Sequence, residues 1–237
     1  MFNAFAMDTD MPAIQLQYLF DPLCGWCYAS APALAWLSSN YSDSLQLLPS
    51  GLFTDQGARD VTPAWAVHAW TNDQRIASTT GQVFSEKYHR EILLGTNVRF
   101  DSGPMNRALT AVGNFNSNME PRLLSRLQTA RYVDGLDTSI FIVVATITAD
   151  FLADEGVSID AVQFSKRLEK DAELINQTNA RVKSVQLLMK DIGVSGVPLL
   201  LIRSRGGIFA VRGDLLYGPQ DHLARELTQL ESKLATA

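Results

Sequence analysis

The run Ile14-Gln15-Leu16-Gln17-Tyr18-Leu19-Phe20 begins as apolar/polar alternation and ends wholly apolar, the pattern of a strand that runs into a core. Asp21-Pro22 stops it. From Cys24 the spacing becomes helical, through Ala29, Ala31, Ala33, Leu34, Ala35, Trp36 and Leu37, and ends near Ser38-Ser39-Asn40. Pro32 lies inside this helix and should kink it, because it has no N–H to donate. Leu45 to Pro49 reads as a second strand. A strand–helix–strand unit of this kind closes right-handed, so the two strands should be parallel.

From about residue 60 to 178 the strand signal almost vanishes, and six helices are expected in its place. Thr62-Pro63 caps one that carries Trp65, Ala66, Ala69 and Trp70; the next covers Gln82 to Leu94. A third opens at Asp101-Ser102-Gly103-Pro104, with Ala108, Leu109, Val112 and Phe115 inward, and a fourth runs from Glu120-Pro121 to Tyr132. Ser139 to Ala153 is the most apolar and should be buried, and Ser158-Ile159-Asp160 caps the sixth. Strand signals then return. A helix from Ala180 to Ile192 leads through Val194-Ser195-Gly196-Val197-Pro198 into a strand, Leu199 to Ile202. Arg203 to Gly207 reads as a hairpin turn, Ile208 to Arg212 as the antiparallel partner, and Gly218-Pro219 as the start of a last helix with Leu223, Leu227, Leu230 and Leu234.

Composition narrows the field of functions. Of 237 residues 46% are hydrophobic, ordinary for a chain with a sizeable core, and no run reaches the length of a membrane helix. A net charge of −5 with no Lys/Arg-rich run gives no reason to expect nucleic acid as a partner, and no membrane association is expected. Residues 1–12 read as a leader that lacks the basic and apolar regions of a secretory signal, so the expected location is cytoplasmic.

Only two cysteines occur, Cys24 and Cys27, and they fall where the strand pattern gives way to the helix. In Cys-x-x-Cys at a helix start, the first sulfur meets unpaired backbone N–H groups that stabilise its thiolate, and the second lies one turn further in. That suits thiol–disulfide exchange, with Cys24 attacking and Cys27 resolving. Zinc would want four ligands; there is no second cysteine pair, and His68, His89 and His222 are far apart, so no metal is expected. Two inert buried cysteines are the blander alternative. Trp26, between the pair, either lines a substrate surface or shields the sulfurs, while Trp36, Trp65 and Trp70 are expected in the core.

The order of elements, with Cys24-Gly25-Trp26-Cys27, Pro32 and Val197-Pro198, resembles the α/β thioredoxin fold, and the helical block after the second strand resembles its DsbA-like branch. Asp101-Ser102, Asn106-Arg107-Ala108 and Ala130 to Asp137 are similar to FrnE-type cytosolic relatives. The resemblance implies a thioredoxin-like domain over residues 13–58 and 179–237, with an inserted all-helical domain over 59–178. It implies a dithiol–disulfide oxidoreductase working on protein or small-molecule disulfides. Cys24 and Cys27 would be catalytic; Gly25, Trp26, Val197 and a cis Pro198 would contact substrate. The redox-active pair replaces any bound cofactor, with glutathione as a possible co-substrate beside protein or peptide thiols. Two other readings stay open: a glutathione-dependent isomerase or transferase of the kappa-class type, whose members usually carry serine at the pair, and a redox-gated peptide-binding protein. One departure stands out. The buried carboxylate that such oxidoreductases often carry six residues before the first cysteine is Tyr18 here, and Asp21 is the nearest acid. With no histidine between the cysteines either, the sequence leans away from a strong oxidase.

Overall fold

The computed structural model describes residues 14–204 and 207–235. The expected leader, residues 1–12, and the centre of the expected turn, Arg205-Gly206, lie outside them. In chain order the elements are β1 (Gln15–Phe20), α1 (Gly25–Ala29), α2 (Ala31–Asn40), β2 (Leu45–Pro49), β3 (Arg59–Asp60), α3 (Pro63–Thr80), the single turn α4 (Glu86–Tyr88), β4 (Arg99–Phe100), α5 (Gly103–Phe115), α6 (Glu120–Tyr132), α7 (Phe141–Asp154), α8 (Ala161–Lys170), α9 (Ala172–Asp191), β5 (Leu199–Ser204), β6 (Gly207–Ala210) and α10 (Gln220–Ala235). The sheet order is β2-β1-β5-β6. As the crossover rule requires, β1 and β2 are parallel, with Leu16 opposite Leu45 and Phe20 opposite Pro49; β5 is antiparallel to both β1 and β6.

β1 is central and covered on both faces, which is why its alternation gives way to apolar residues on both sides. Leu16, Tyr18 and Phe20 enter the main core, whereas Leu19 packs with Leu48, Leu201 and Val185 of α9. That core continues without a break from Leu16, Leu37 and Ile202 to Met105, Leu109, Leu124 and Val144 of the helical block. A second cluster likewise joins Tyr28 and Ala29 of the α1 segment to Ile76, Phe84, Tyr88 and Tyr132. The block therefore shares its apolar interior with the sheet.

Several sequence expectations change. The helix expected from Cys24 onward is two, because Ser30 leaves helical geometry ahead of Pro32. Proline at 32 cannot donate to the Tyr28 carbonyl, and Gln82 Nε2 from the helical block supplies that bond at 2.9 Å. Gln82 to Leu94 contains only α4, capped by Ser85, and a π-helical turn over His89–Leu93. The inserted segment is not all helical: β3 and β4 pair as a two-residue antiparallel ribbon, too short to give an alternating pattern. Phe115 points outward, 65% exposed, at the end of α5. α7 buries one side only, through Val144, Ala145, Thr148 and Leu152, and leaves Ile142 exposed. α9 begins eight residues before Ala180, at an Asp171 cap, and so runs straight through the expected boundary between residues 178 and 179. Leu223 and Leu227 of α10 are fully buried; the side chain of Leu234 lies outside the described residues.

Candidate active site

Asp21, Pro22 and Leu23 carry the chain from β1 to the cysteines, and side chains of the helical block hold all three. Ser102 Oγ donates to Asp21 Oδ2 at 3.0 Å, Gln128 Nε2 to the Pro22 carbonyl at 3.3 Å, and Tyr132 Oη to the Leu23 carbonyl at 2.7 Å. The Pro22 and Leu23 carbonyls are thus satisfied from the helical block and the Asp21 carbonyl by the Cys24 amide at 3.1 Å, as buried backbone oxygens must be. Tyr132, the last residue of α6, also stacks on Tyr28, 4.7 Å between ring centres, just past Cys27. Tyr28 is buried in that cluster, its hydroxyl donating to the Val83 carbonyl, and belongs to the core.

Both cysteines are free thiols. Cys24 precedes α1 and is half-buried, with its Sγ donating to the Val197 carbonyl at 3.5 Å. The Val197–Pro198 peptide bond is cis. Cys27 is buried inside the first turn, and the Asp21 amide donates to its Sγ at 3.5 Å. Burial pushes the Cys27 thiol well up; its hydrogen bond to Cys24 and the charges of Cys24 and Asp21 add to this, and only the Asp21 amide opposes it. One thiol is therefore reachable and the other is held back as a thiol until attack. That division is the one exchange through a mixed disulfide uses.

Asp21 is fully buried, and its carboxylate accepts hydrogen bonds from the Leu23 and Phe53 amides at 2.9 and 3.1 Å as well as from Ser102. Burial outweighs these bonds and raises its pKa to about 6. Tyr18, where a carboxylate was expected from the resemblance, binds the peptide backbone of the pair instead: its hydroxyl reaches the Cys27 carbonyl at 3.4 Å and Ser30 Oγ at 2.5 Å. Burial and the charge of Cys27 push the Tyr18 phenol well up, so it keeps its proton. Asp21 is the acid beside Cys27.

Of the other expected contacts, Trp26 lies against Tyr217, 4.9 Å between ring centres, and is half exposed. Burial, then the charges of Cys27 and Cys24, raise the Tyr217 phenol. Gly25 is required for space: a Cβ there would sit 2.7 Å from Asp73 Oδ1 and 2.9 Å from Ile76 Cδ1. Sequence reading missed Tyr217 and Asp73, which no local motif marks. It placed Trp65 in the core, against which the side chain does pack, and His68 at the surface or in a satisfied core position rather than at the site. Both line a recess of about 120 Å³ that Cys24, Gly25, Asp73 and Phe100 share. Trp36 packs on Tyr41 and Trp70 stacks flat on His89, neither in that recess. Among the described residues no three His, Cys, Asp or Glu side chains are grouped to hold a metal ion, and no helix is long and apolar enough to cross a membrane.

A thioredoxin-type sheet, an intervening helical block and a reachable thiol backed by a buried one are the features of a thiol–disulfide oxidoreductase, and their arrangement is similar to that of DsbA-like proteins. Among solved structures, the chain is similar to the cytosolic disulfide reductase DsbM from Pseudomonas aeruginosa, with 29% identity, a TM-score of 0.76, and 91% of this chain and 98% of that chain covered. The same protein solved with GSH gives 28% identity, a TM-score of 0.75 and the same coverage. A 2-hydroxychromene-2-carboxylate isomerase shares the fold alone, at 15% identity and a TM-score of 0.55 over 92% of this chain and 98% of that one. No protein-family profile and no curated protein matches the chain by sequence.

Proposed function

We propose that this protein reduces disulfides in the cytosol and draws its electrons from glutathione. The observation that carries the reading is the unequal placement of the two thiols, Cys24 half-buried at the Val197 carbonyl and Cys27 buried beside Asp21. In the proposed cycle the Cys24 thiolate attacks one sulfur of a substrate disulfide, forming a mixed disulfide and releasing the other sulfur as a thiolate. Cys27 gives its proton to the Asp21 carboxylate and attacks Cys24 Sγ, releasing the second substrate thiolate and closing the Cys24–Cys27 bond. Two electrons have then passed to the substrate, and two glutathione molecules restore the dithiol as glutathione disulfide. Each step is an attack of a thiolate on a disulfide sulfur, and each needs its proton placed.

What surrounds the pair supports the reducing direction. Among the described residues no cationic side chain donates a hydrogen bond to either sulfur, and a less stabilised thiolate makes a more reducing couple. The likeness to DsbM, a cytosolic reductase also solved with GSH, points the same way. A surface recess of about 660 Å³ reaches Val197 and carries Lys183, Lys190 and Gln186, groups suited to the carboxylates of glutathione or an acidic peptide. The presence of both Cys24 and Cys27 weighs against the isomerase reading, which needs no resolving thiol. Equilibrating the protein with glutathione buffers tests the proposal: the couple should lie nearer thioredoxin's potential, about −270 mV, than DsbA's, about −120 mV. Cys24→Ser should abolish glutathione-driven disulfide reduction, and Cys27→Ser should stall as a mixed disulfide seen by mass spectrometry. A potential near the DsbA value, or full turnover by the Cys24 variant, overturns it.

A further inference from the structure

Among the described residues, Asp73 is the one buried acid near the pair that the cycle above leaves unused. It sits on α3, 4% exposed, and its Oδ2 accepts the Tyr88 hydroxyl at 3.0 Å. Its Oδ1 takes no hydrogen bond among the described residues and lies directly over Gly25, where a Cβ would meet it at 2.7 Å. Asp73 and Cys24 line the same recess, which at about 120 Å³ has room for the single water that a relayed proton transfer takes. The groups that bear on this carboxyl are Tyr88, Arg131 and Tyr132 from the elements packed against it, His68 on its own helix, and Cys24 across the recess. Arg131 is wholly buried; its guanidinium pairs with Asp137 Oδ1 at 3.6 Å and lies over the Phe100 ring, and its charge also bears on the Asp73 carboxyl.

We propose that Asp73 is the proton carrier for Cys24, taking the thiol proton before attack and returning it to the departing substrate sulfur. This rests on the oxidoreductase reading above and divides the chemistry between two acids, Asp21 for Cys27 and Asp73 for Cys24. The step balances. Cys24–SH and the Asp73 carboxylate become thiolate and carboxylic acid; the thiolate forms a bond to one substrate sulfur as the S–S bond breaks; the leaving thiolate takes the proton from Asp73. Burial supports the assignment by raising the Asp73 carboxyl to about 7, with the Tyr88 hydrogen bond and the Arg131 charge opposing it, so that both forms are present at neutral pH.

The test uses the leaving group. A dialkyl disulfide releases a basic thiolate that gains from protonation, whereas an aromatic disulfide such as DTNB releases one that leaves without it. In Asp73→Asn, which keeps an oxygen for Tyr88, loss of the base should slow single-turnover reaction of reduced protein with both disulfides, and with bis(hydroxyethyl) disulfide at least about tenfold more than with DTNB. Equal loss toward both disulfides, or no loss toward either, overturns the proposal. The wild-type protein gives a second readout that does not depend on the variant folding. The ratio of dialkyl to aromatic rates should fall as pH rises through about 7; a ratio flat with pH overturns the proposal equally. A wild-type protein that reacts with neither disulfide would instead refute the oxidoreductase reading itself.

Discussion

Asp21→Asn isolates the cost of keeping an acid under the cysteines. In the folded protein the Asp21 carboxyl ionises near pH 6, against 3.8 for the free side chain, because burial disfavours the anion more than three hydrogen bonds favour it. The folded state thus holds the Asp21 proton more tightly than the unfolded state does. Its contribution to stability is complete below pH 4 and is lost as the pH rises through 6. The difference of about two units, at 1.36 kcal/mol each, amounts to roughly 2–3 kcal/mol between pH 4 and pH 7. Asparagine also disturbs the contacts with the Leu23 and Phe53 amides, but that loss is the same at every pH and cancels from a double difference. Urea unfolding of both proteins at pH 4 and pH 7 measures it. The variant should gain about 2–3 kcal/mol on the wild type between those two values. A gain under about 0.5 kcal/mol, or a change of opposite sign, would refute the argument that burial governs this carboxyl.

Tyr132→Phe removes the bond to the Leu23 carbonyl and leaves a buried acceptor unmet, for an expected loss of about 1–3 kcal/mol in denaturant unfolding and faster amide exchange at Cys24. Gly25→Ala should destabilise by about 1–3 kcal/mol through overpacking against Asp73 and Ile76, and should slow alkylation of Cys24; an unchanged melting temperature would show that α3 yields at no cost.

The pair was legible from sequence because its meaning is local: two cysteines at one-turn spacing, at the change from strand to helix, define their own geometry. The strands of the sheet were legible for the same reason, since β1 alternates before turning wholly apolar and β5 opens on a continuous apolar run. What lay hidden depends on distant contacts. Asp21 sits three residues past Tyr18 on a loop, and nothing around it in the chain announces that Ser102 and Phe53 will bury it. Asp73 occupies a polar stretch of α3, Asn72-Asp73-Gln74, and reads as solvated until Gly25 and Tyr88 close over it. Trp65 and His68 have ordinary helical spacing, and only the ribbon partner Phe100 and Phe53 make them a wall of the recess. The missed start of α9 has a simpler cause. Its first turns carry Asn176, Gln177 and Asn179, which weaken a periodicity that the Asp171 cap and Leu174 restore.

The three bonds that hold Asp21, Pro22 and Leu23 come from residues 81, 106 and 109 positions further along the chain. Contacts of that span form late, since the loop they close must lose its freedom before they return anything. A growing chain therefore displays its cysteines well before it possesses Ser102, Gln128 and Tyr132 to set them in place. Chemical competence in this protein arrives with the completion of α6, after the residues that perform the chemistry have already been made.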